Sequence, residues 1–115
     1  MKAEELTQIV VDALDDLKAV NVRTLNVRNK SNVTDVLVIA TGTSARHAKS
    51  LAENVVVKAK HSGVIPLGVE GEDSGEWVLV DLGDVVVHIF QAEVRDFYQL
   101  EKLWETETKS ESSAG

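Results

Sequence analysis

Hydrophobic side chains recur along the first part of the chain at the three- and four-residue steps of a helix, then change to the two-residue alternation of strands. Leu6, Ile9, Val10, Ala13, Leu14 and Leu17 predict an amphipathic helix over residues 3–18, with Glu4, Glu5, Asp12, Asp15 and Asp16 on an acidic solvent face. Val22, Leu25 and Val27 among polar neighbours predict a strand over residues 22–28, followed by a loop over residues 29–34. The run DVLVIAT, residues 35–41, has the β-branched apolar character of a strand covered on both faces and central in its sheet. A second helix is expected over residues 45–61, its apolar face formed by Ala48, Leu51, Ala52, Val55, Val56 and Ala59. Ser44 is its N-cap and Gly63 its terminator. Residues 64–69 predict a third strand, with Pro66 near its start or on an edge because proline cannot donate to a ladder. Strand, helix and strand in that order imply a right-handed parallel crossover. A last helix, residues 93–105, turns Phe97, Leu100, Leu103 and Trp104 toward the core and sets Tyr98 and Glu101, three apart, on its flank. Residues 106–115, TETKSESSAG, lack an apolar anchor and predict a disordered tail. The expectation is one α/β domain over residues 1–105, a mixed sheet with helices and no internal repeat.

The most informative stretch is residues 70–90, EGEDSGEWVLVDLGDVVVHIF. A two-residue turn at Gly83 and Asp84 pairs Leu82 with Val85, Asp81 with Val86, Val80 with Val87, Leu79 with His88 and Trp77 with Phe90. One face of this ribbon then carries Val78, Val80, Leu82, Val85, Val87 and Ile89, a core face. The other carries Trp77, Leu79, Asp81, Val86, His88 and Phe90, a mixture of apolar and polar groups. Either a helix of the same chain covers that face and satisfies Asp81 and His88, or the face meets a partner.

Composition narrows the partner. A chain of 115 residues supports one core, and 43 % hydrophobic with 27 % charged residues is the balance of an ordinary soluble globular protein. Twelve Lys and Arg against 19 Asp and Glu leave a formal charge of -7, which disfavours nucleic acid or an anionic membrane and points to a basic protein surface. The absence of cysteine excludes disulfides, a thiolate zinc site and a cysteine nucleophile. The start MKAEELTQ lacks the apolar centre of a signal peptide and no apolar run reaches membrane-spanning length, so a cytoplasmic protein is expected.

Three further groups carry candidate chemistry. Gly42, Thr43 and Ser44, with Arg46 and His47 in the next turn, lie where an anion would meet helix N–H groups. The spacing is neither a P-loop nor a dinucleotide fingerprint, and the carboxylate pair of a nucleotidyltransferase is missing, since the next acidic residues are Glu53 and Glu70. A turn followed by an N-cap explains it better. His47 and His61 are about 21 Å apart along a helix, too far to share a metal, so no metal site is expected. His88 pairs diagonally with Asp81 across the ribbon in this reading, in a structural or partner-facing role. Glu70, Glu72, Asp73 and Glu76, among Gly71, Ser74 and Gly75, do not follow the EF-hand spacing. They read as a solvated loop or as an acidic rim that steers a basic partner toward Trp77.

The segments TDVLVIATGTSARH, PLGVEGEDSGEWVLVDLGDVVVHIF and FYQLEKLW, in this order and spacing, closely resemble the ribosomal silencing factor (Iojap-like) family. The likeness runs from Leu6 to Trp104. It implies a fold related to the nucleotidyltransferases without their catalytic carboxylates, no enzymatic activity and no cofactor. It further implies binding to large-subunit ribosomal protein fourteen, a block on joining of the large and small subunits, and repression of translation when nutrients are scarce. A part in large-subunit maturation and self-association as a homodimer are implied as well. Carried onto this chain, the contact residues are Trp77, Leu79 and Asp81 in the hairpin and Tyr98, Leu100 and Glu101 in the last helix. Helix periodicity places Leu100 toward the core, whereas the resemblance places it on the contact surface.

Overall fold

A computed structural model describes residues 1–28 and 34–92, arranged as helix α1 (Ala3–Asp16), strands β1 (Val20–Asn26) and β2 (Val36–Gly42), helix α2 (Ala45–His61) and strands β3 (Gly68–Glu70), β4 (Trp77–Asp81) and β5 (Val85–Gln91). The expected third helix and tail, with Phe97, Tyr98, Leu100, Glu101, Leu103 and Trp104, lie outside the described residues, as does most of the loop after β1. The architecture is mixed α/β. One sheet runs in the order β1-β2-β5-β4-β3, with β2 and β5 parallel and every other pair antiparallel.

Both described helices pack on one face of this sheet. Leu6, Val10 and Leu14 of α1 and Leu51 and Val55 of α2 meet Val38, Val78, Val80, Val85, Val87 and Ile89 in a single buried cluster. Alanines at 13, 48, 52 and 59 let the helices approach closely, and Asn54 Nδ2 donates to the Ala13 carbonyl at 2.7 Å to tie them together. Each large side chain buried here contributes on the order of 1.5–3 kcal/mol relative to exposure. Strand β2 is buried along its whole length, as its unbroken apolar run demands. It is interior, but the middle position belongs to β5. On the opposite face, Leu37, Ile39 and Phe90 join Val27, Leu25, Trp77 and Val86 in a second cluster. Val22 packs toward the helices whereas Leu25 and Val27 belong to the second face, because an odd separation along a strand reverses the side chain. The register of β1 also shifts between Val20 and Arg23, where Asn21 takes a φ of 50°.

The expected crossover spans more of the sheet than adjacent strands would. Strands β2 and β3 run in the same direction, but β5 and β4 lie between them, so α2 carries the chain to the far edge and the hairpin fills the gap. The third strand is also shorter than the predicted 64–69. Regular pairing starts at Gly68, beyond Pro66, and leaves Ile65 and Leu67 exposed.

The helix ends follow from backbone chemistry. Ser44 Oγ accepts the His47 N–H at 3.0 Å, the expected cap of α2. At its other end Gly63, with φ of 89°, donates to the Lys60 carbonyl while Val64 donates to that of Ala59, the paired bonds of a Schellman ending. Helix α1 ends in the same way, two residues earlier than its pattern predicts: Lys18 donates to the Asp15 carbonyl and Ala19 to that of Leu14. Leu17, expected in the core, is therefore a cap residue left 39 % exposed. Here the left-handed position is held by a lysine, Lys18, at φ of 60°. Lys18→Gly is expected to stabilise the protein by about 0.5–1 kcal/mol by relieving that conformation, read as a higher urea midpoint at unchanged slope. Gly63→Ala is expected to lower the midpoint by a comparable amount.

Candidate functional site

Strands β4 and β5 are joined at Gly83 and Asp84 in the register expected from the alternation: Trp77 opposite Phe90, Leu79 opposite His88 and Asp81 opposite Val86. Gly83 has a φ of 88°, and the Leu82 N–H donates to the Val85 carbonyl across the turn at 2.9 Å. The turn is also an anchor for the neighbouring strand. The Asp84 carbonyl accepts from the Asp35 and Val36 N–H groups at 2.9 and 3.0 Å and from the Thr34 hydroxyl at 2.9 Å, which sets the start of β2 against the start of β5.

Period-two alternation then gives the two hairpin faces different fates. Val78, Val80, Leu82, Val85, Val87 and Ile89 are all buried in the helix-side core. Trp77, Leu79 and Asp81 stand in a row on the other face of β4, each partly buried, successive members roughly 7 Å apart. Val86 and His88 flank them on β5, also partly buried, and Phe90 at the end of the row is fully buried. The three hairpin contact residues implied by the resemblance therefore share one surface; Tyr98, Leu100 and Glu101 fall outside the described residues.

The polar groups on this face pair differently from the expected Asp81–His88 diagonal. His88 has two diagonal neighbours on β4, and its bond is with the other one: the Trp77 indole N–H donates to His88 Nδ1 at 2.9 Å. Asp81 Oδ1 instead accepts the Gly83 N–H at 2.9 Å, a local contact two residues on that draws the carboxylate to the turn. The indole also rests on Phe90, with ring centroids 4.8 Å apart, and the His88 and Phe90 rings are 6.1 Å apart and nearly parallel at 9°. Burial pushes the His88 pKa down to about 4, so the ring is neutral at pH 7 with its proton on Nε2. The diagonal from His88 to Trp77 was readable in the register, but the choice between two diagonals depends on sheet twist and side-chain reach.

The acidic loop before β4 is folded tightly against this ribbon. A Cβ at Gly71, whose φ is 83°, would overlap the Trp77 carbonyl oxygen, and one at Gly75 would meet Ala45 at the start of α2 at 2.8 Å. The Gln91 N–H donates to the Glu76 carbonyl at 3.0 Å and Gln91 Nε2 to that of Gly75 at 3.2 Å. Glu70, Glu72, Asp73 and Glu76 remain exposed around this compact turn. Among the described residues no three carboxylates or histidines converge as metal ligands.

The Gly42 turn has a structural use for its donors. The Thr43 N–H donates to His47 Nδ1 at 2.9 Å, and His47 Nε2 donates in turn to the Leu17 carbonyl at the end of α1 at 2.7 Å. With Ser44 capping the His47 N–H, two of the backbone donors at this turn, those of Thr43 and His47, are used within the chain. Gly42 itself permits close strand–helix contact, since a Cβ there would lie 2.9 Å from the Ala48 nitrogen. His61, at the far end of α2, is exposed.

The fold and this face define a small mixed α/β protein whose hairpin sets an aromatic, an aliphatic and a carboxylate side chain in one partly buried row. A sequence profile described as ribosomal silencing factor during starvation (RsfS) matches residues 1–114. The chain is 41 % identical over 99 residues to the ribosomal silencing factor of Haemophilus influenzae, covering 86 % of this chain and 97 % of that one. It is 33 % identical over 99 residues to the mouse protein named mitochondrial assembly of ribosomal large subunit protein 1, covering 84 % of this chain and 43 % of the mouse protein. A crystal structure of a Chromobacterium violaceum protein, 43 % identical, matches with a TM-score of 0.90 over 91 % of this chain and 88 % of that one. The chain belongs to the ribosomal silencing factor family.

The depressed His88 pKa has a measurable consequence. As pH falls below about 6.5 the unfolded chain takes up a proton on this ring that the folded chain refuses, so folding weakens until about pH 4, where the folded ring also protonates. The contribution is present in full above pH 6.5 and is expected to change by at most about 1.4 kcal/mol per pH unit within that window. Urea titrations between pH 7 and 4 should show a shallower loss for His88→Asn than for the parent protein.

Proposed function

We propose that this protein is a translational silencing factor that acts by occupying a surface rather than by catalysis. Its partner in this reading is large-subunit ribosomal protein fourteen, and its occupation of that protein keeps the small subunit from joining. The observation that carries the proposal is the row Trp77, Leu79 and Asp81 on the partly exposed hairpin face. An aromatic anchor beside an aliphatic side chain and a carboxylate suits a partner that presents apolar and basic groups together. Net charge of -7 and the exposed carboxylates of residues 70–76 favour encounter with such a basic surface. Tyr98, Leu100 and Glu101 complete the surface in this proposal, on the strength of the family resemblance.

Action in the cytoplasm under nutrient limitation follows from the same reading, as does a part in large-subunit maturation, the process named in the mouse relative. A homodimer formed through this face would compete with the ribosome. Relation to the nucleotidyltransferase fold without its chemistry fits the internal use of the Gly42 turn donors. Isothermal titration with ATP and magnesium is accordingly expected to be flat, and saturable binding would revive an enzyme centred on Gly42, Thr43 and Ser44.

Co-sedimentation with purified ribosomal subunits tests the main proposal. The protein should pellet with large but not small subunits and reduce their joining. Trp77→Ala should weaken binding by about 2 kcal/mol or more, roughly thirtyfold. Asp81→Asn should chiefly slow association and flatten its salt dependence. Normal folding with unchanged affinity in Trp77→Ala would move the site elsewhere.

A further inference from the structure

A docking face built on an indole needs that ring held in one orientation before the partner arrives, because ordering it on binding subtracts from affinity. Trp77 meets this condition through contacts that include its own hairpin and the loop before it. Its backbone carbonyl is closely approached by Gly71, its ring lies 4.8 Å from that of Phe90, and its N–H is donated to His88 Nδ1 at 2.9 Å. His88 is itself held opposite Leu79 in the ladder, and its ring runs nearly parallel to that of Phe90. The contact works in one direction only. Nδ1 must carry a lone pair to accept the indole proton, so the neutral ring with hydrogen on Nε2 is the form that fits.

We propose that His88 is a positioning residue for the docking face, holding the Trp77 indole by accepting its N–H so that ring surface, rather than a polar N–H, is offered to the partner. The inference rests on the docking face proposed above and narrows the chemistry that face recognises. A hydrogen-bond acceptor from the partner would have to compete with His88 for the indole proton. An aliphatic chain ending in a cation has no such competition. It can lie against the ring and past Leu79 toward Asp81, whose Oδ1 is engaged with Gly83 and whose second carboxylate oxygen has no hydrogen bond among the described residues. A lysine or arginine side chain with its stem along the row is the group this geometry fits.

The test uses the full chain, purified large subunits and three substitutions that separate shape from hydrogen bonding. His88→Asn places an acceptor near the position of Nδ1, His88→Gln places its polar atoms nearer that of Nε2, and His88→Leu has no acceptor. In ¹⁵N spectra the Trp77 indole resonance, assigned with Trp77→Phe, should shift upfield and exchange faster in His88→Leu and His88→Gln but stay near its parent position in His88→Asn. Large-subunit affinity should fall roughly tenfold in the first two and return to within about threefold in His88→Asn. An unshifted indole resonance in His88→Leu would overturn the hydrogen bond itself. Parent-like affinity in both His88→Leu and His88→Gln, with Trp77→Ala defective, would overturn the positioning role while leaving the docking face intact. Parent-like affinity in Trp77→Ala would instead remove the docking face and with it the role assigned to His88. Should His88→Leu fail to fold, the contrast between His88→Asn and His88→Gln decides the same question.

Discussion

The two-residue turn at Gly83 and Asp84 sets the identity of every other position in the hairpin. Because side chains alternate along a strand, a slip of one residue would exchange the six aliphatic side chains of the core face with Trp77, Asp81 and His88. Burial of the aliphatic set against α1 and α2 makes such a slip costly, and the positive φ available at Gly83 makes the correct turn unstrained. The same turn receives the first donors of β2 on the Asp84 carbonyl. Sheet order, core and candidate face therefore share one point of reference.

From that point the hairpin acts as an insert within a larger frame. Helix α2 leads the chain from β2 to β3 at the far edge, and β5 and β4 occupy the two places between. Trp77 then begins β4 next to the acidic loop, with Gly71 and Gly75 allowing the loop to fold onto β4 and α2. A rigid scaffold beneath a partly exposed aromatic residue is a sound basis for recognition, since little order remains to be imposed on binding. In the proposed encounter the exposed carboxylates around it act at longer range, through steering rather than through fixed contacts.

Two histidines serve the structure in comparable ways despite different settings. His47 bridges the Thr43 N–H and the Leu17 carbonyl, joining the β2–α2 turn to the end of α1, while His88 accepts the indole proton of Trp77. In each, Nδ1 accepts an N–H, which a lysine cannot do, and His47 adds a donor at Nε2, which a carboxylate lacks. His47 thereby gives the glycine-serine turn at this helix start a structural use in the folded chain.

Much of this was legible in residue order. Helical spacing locates α1 and α2, Ser44 and Gly63 mark the ends of α2, and the turn residues with strict alternation supply the hairpin register and both its faces. These features are local, set by interactions a few residues apart along the chain. Less legible were the ends of elements where a non-local or atypical contact intervenes: Lys18 closes α1 early from a conformation glycine would normally occupy, and β3 forms only where it can pair with β4 beyond Pro66. Strand order was beyond local pattern, because apolar runs such as that of β2 announce burial without naming their neighbours. So was the partner of His88: Trp77 and Asp81 are equivalent diagonals on paper. Twist, ring size and the nearby Gly83 N–H separate them only once the chain is folded in three dimensions.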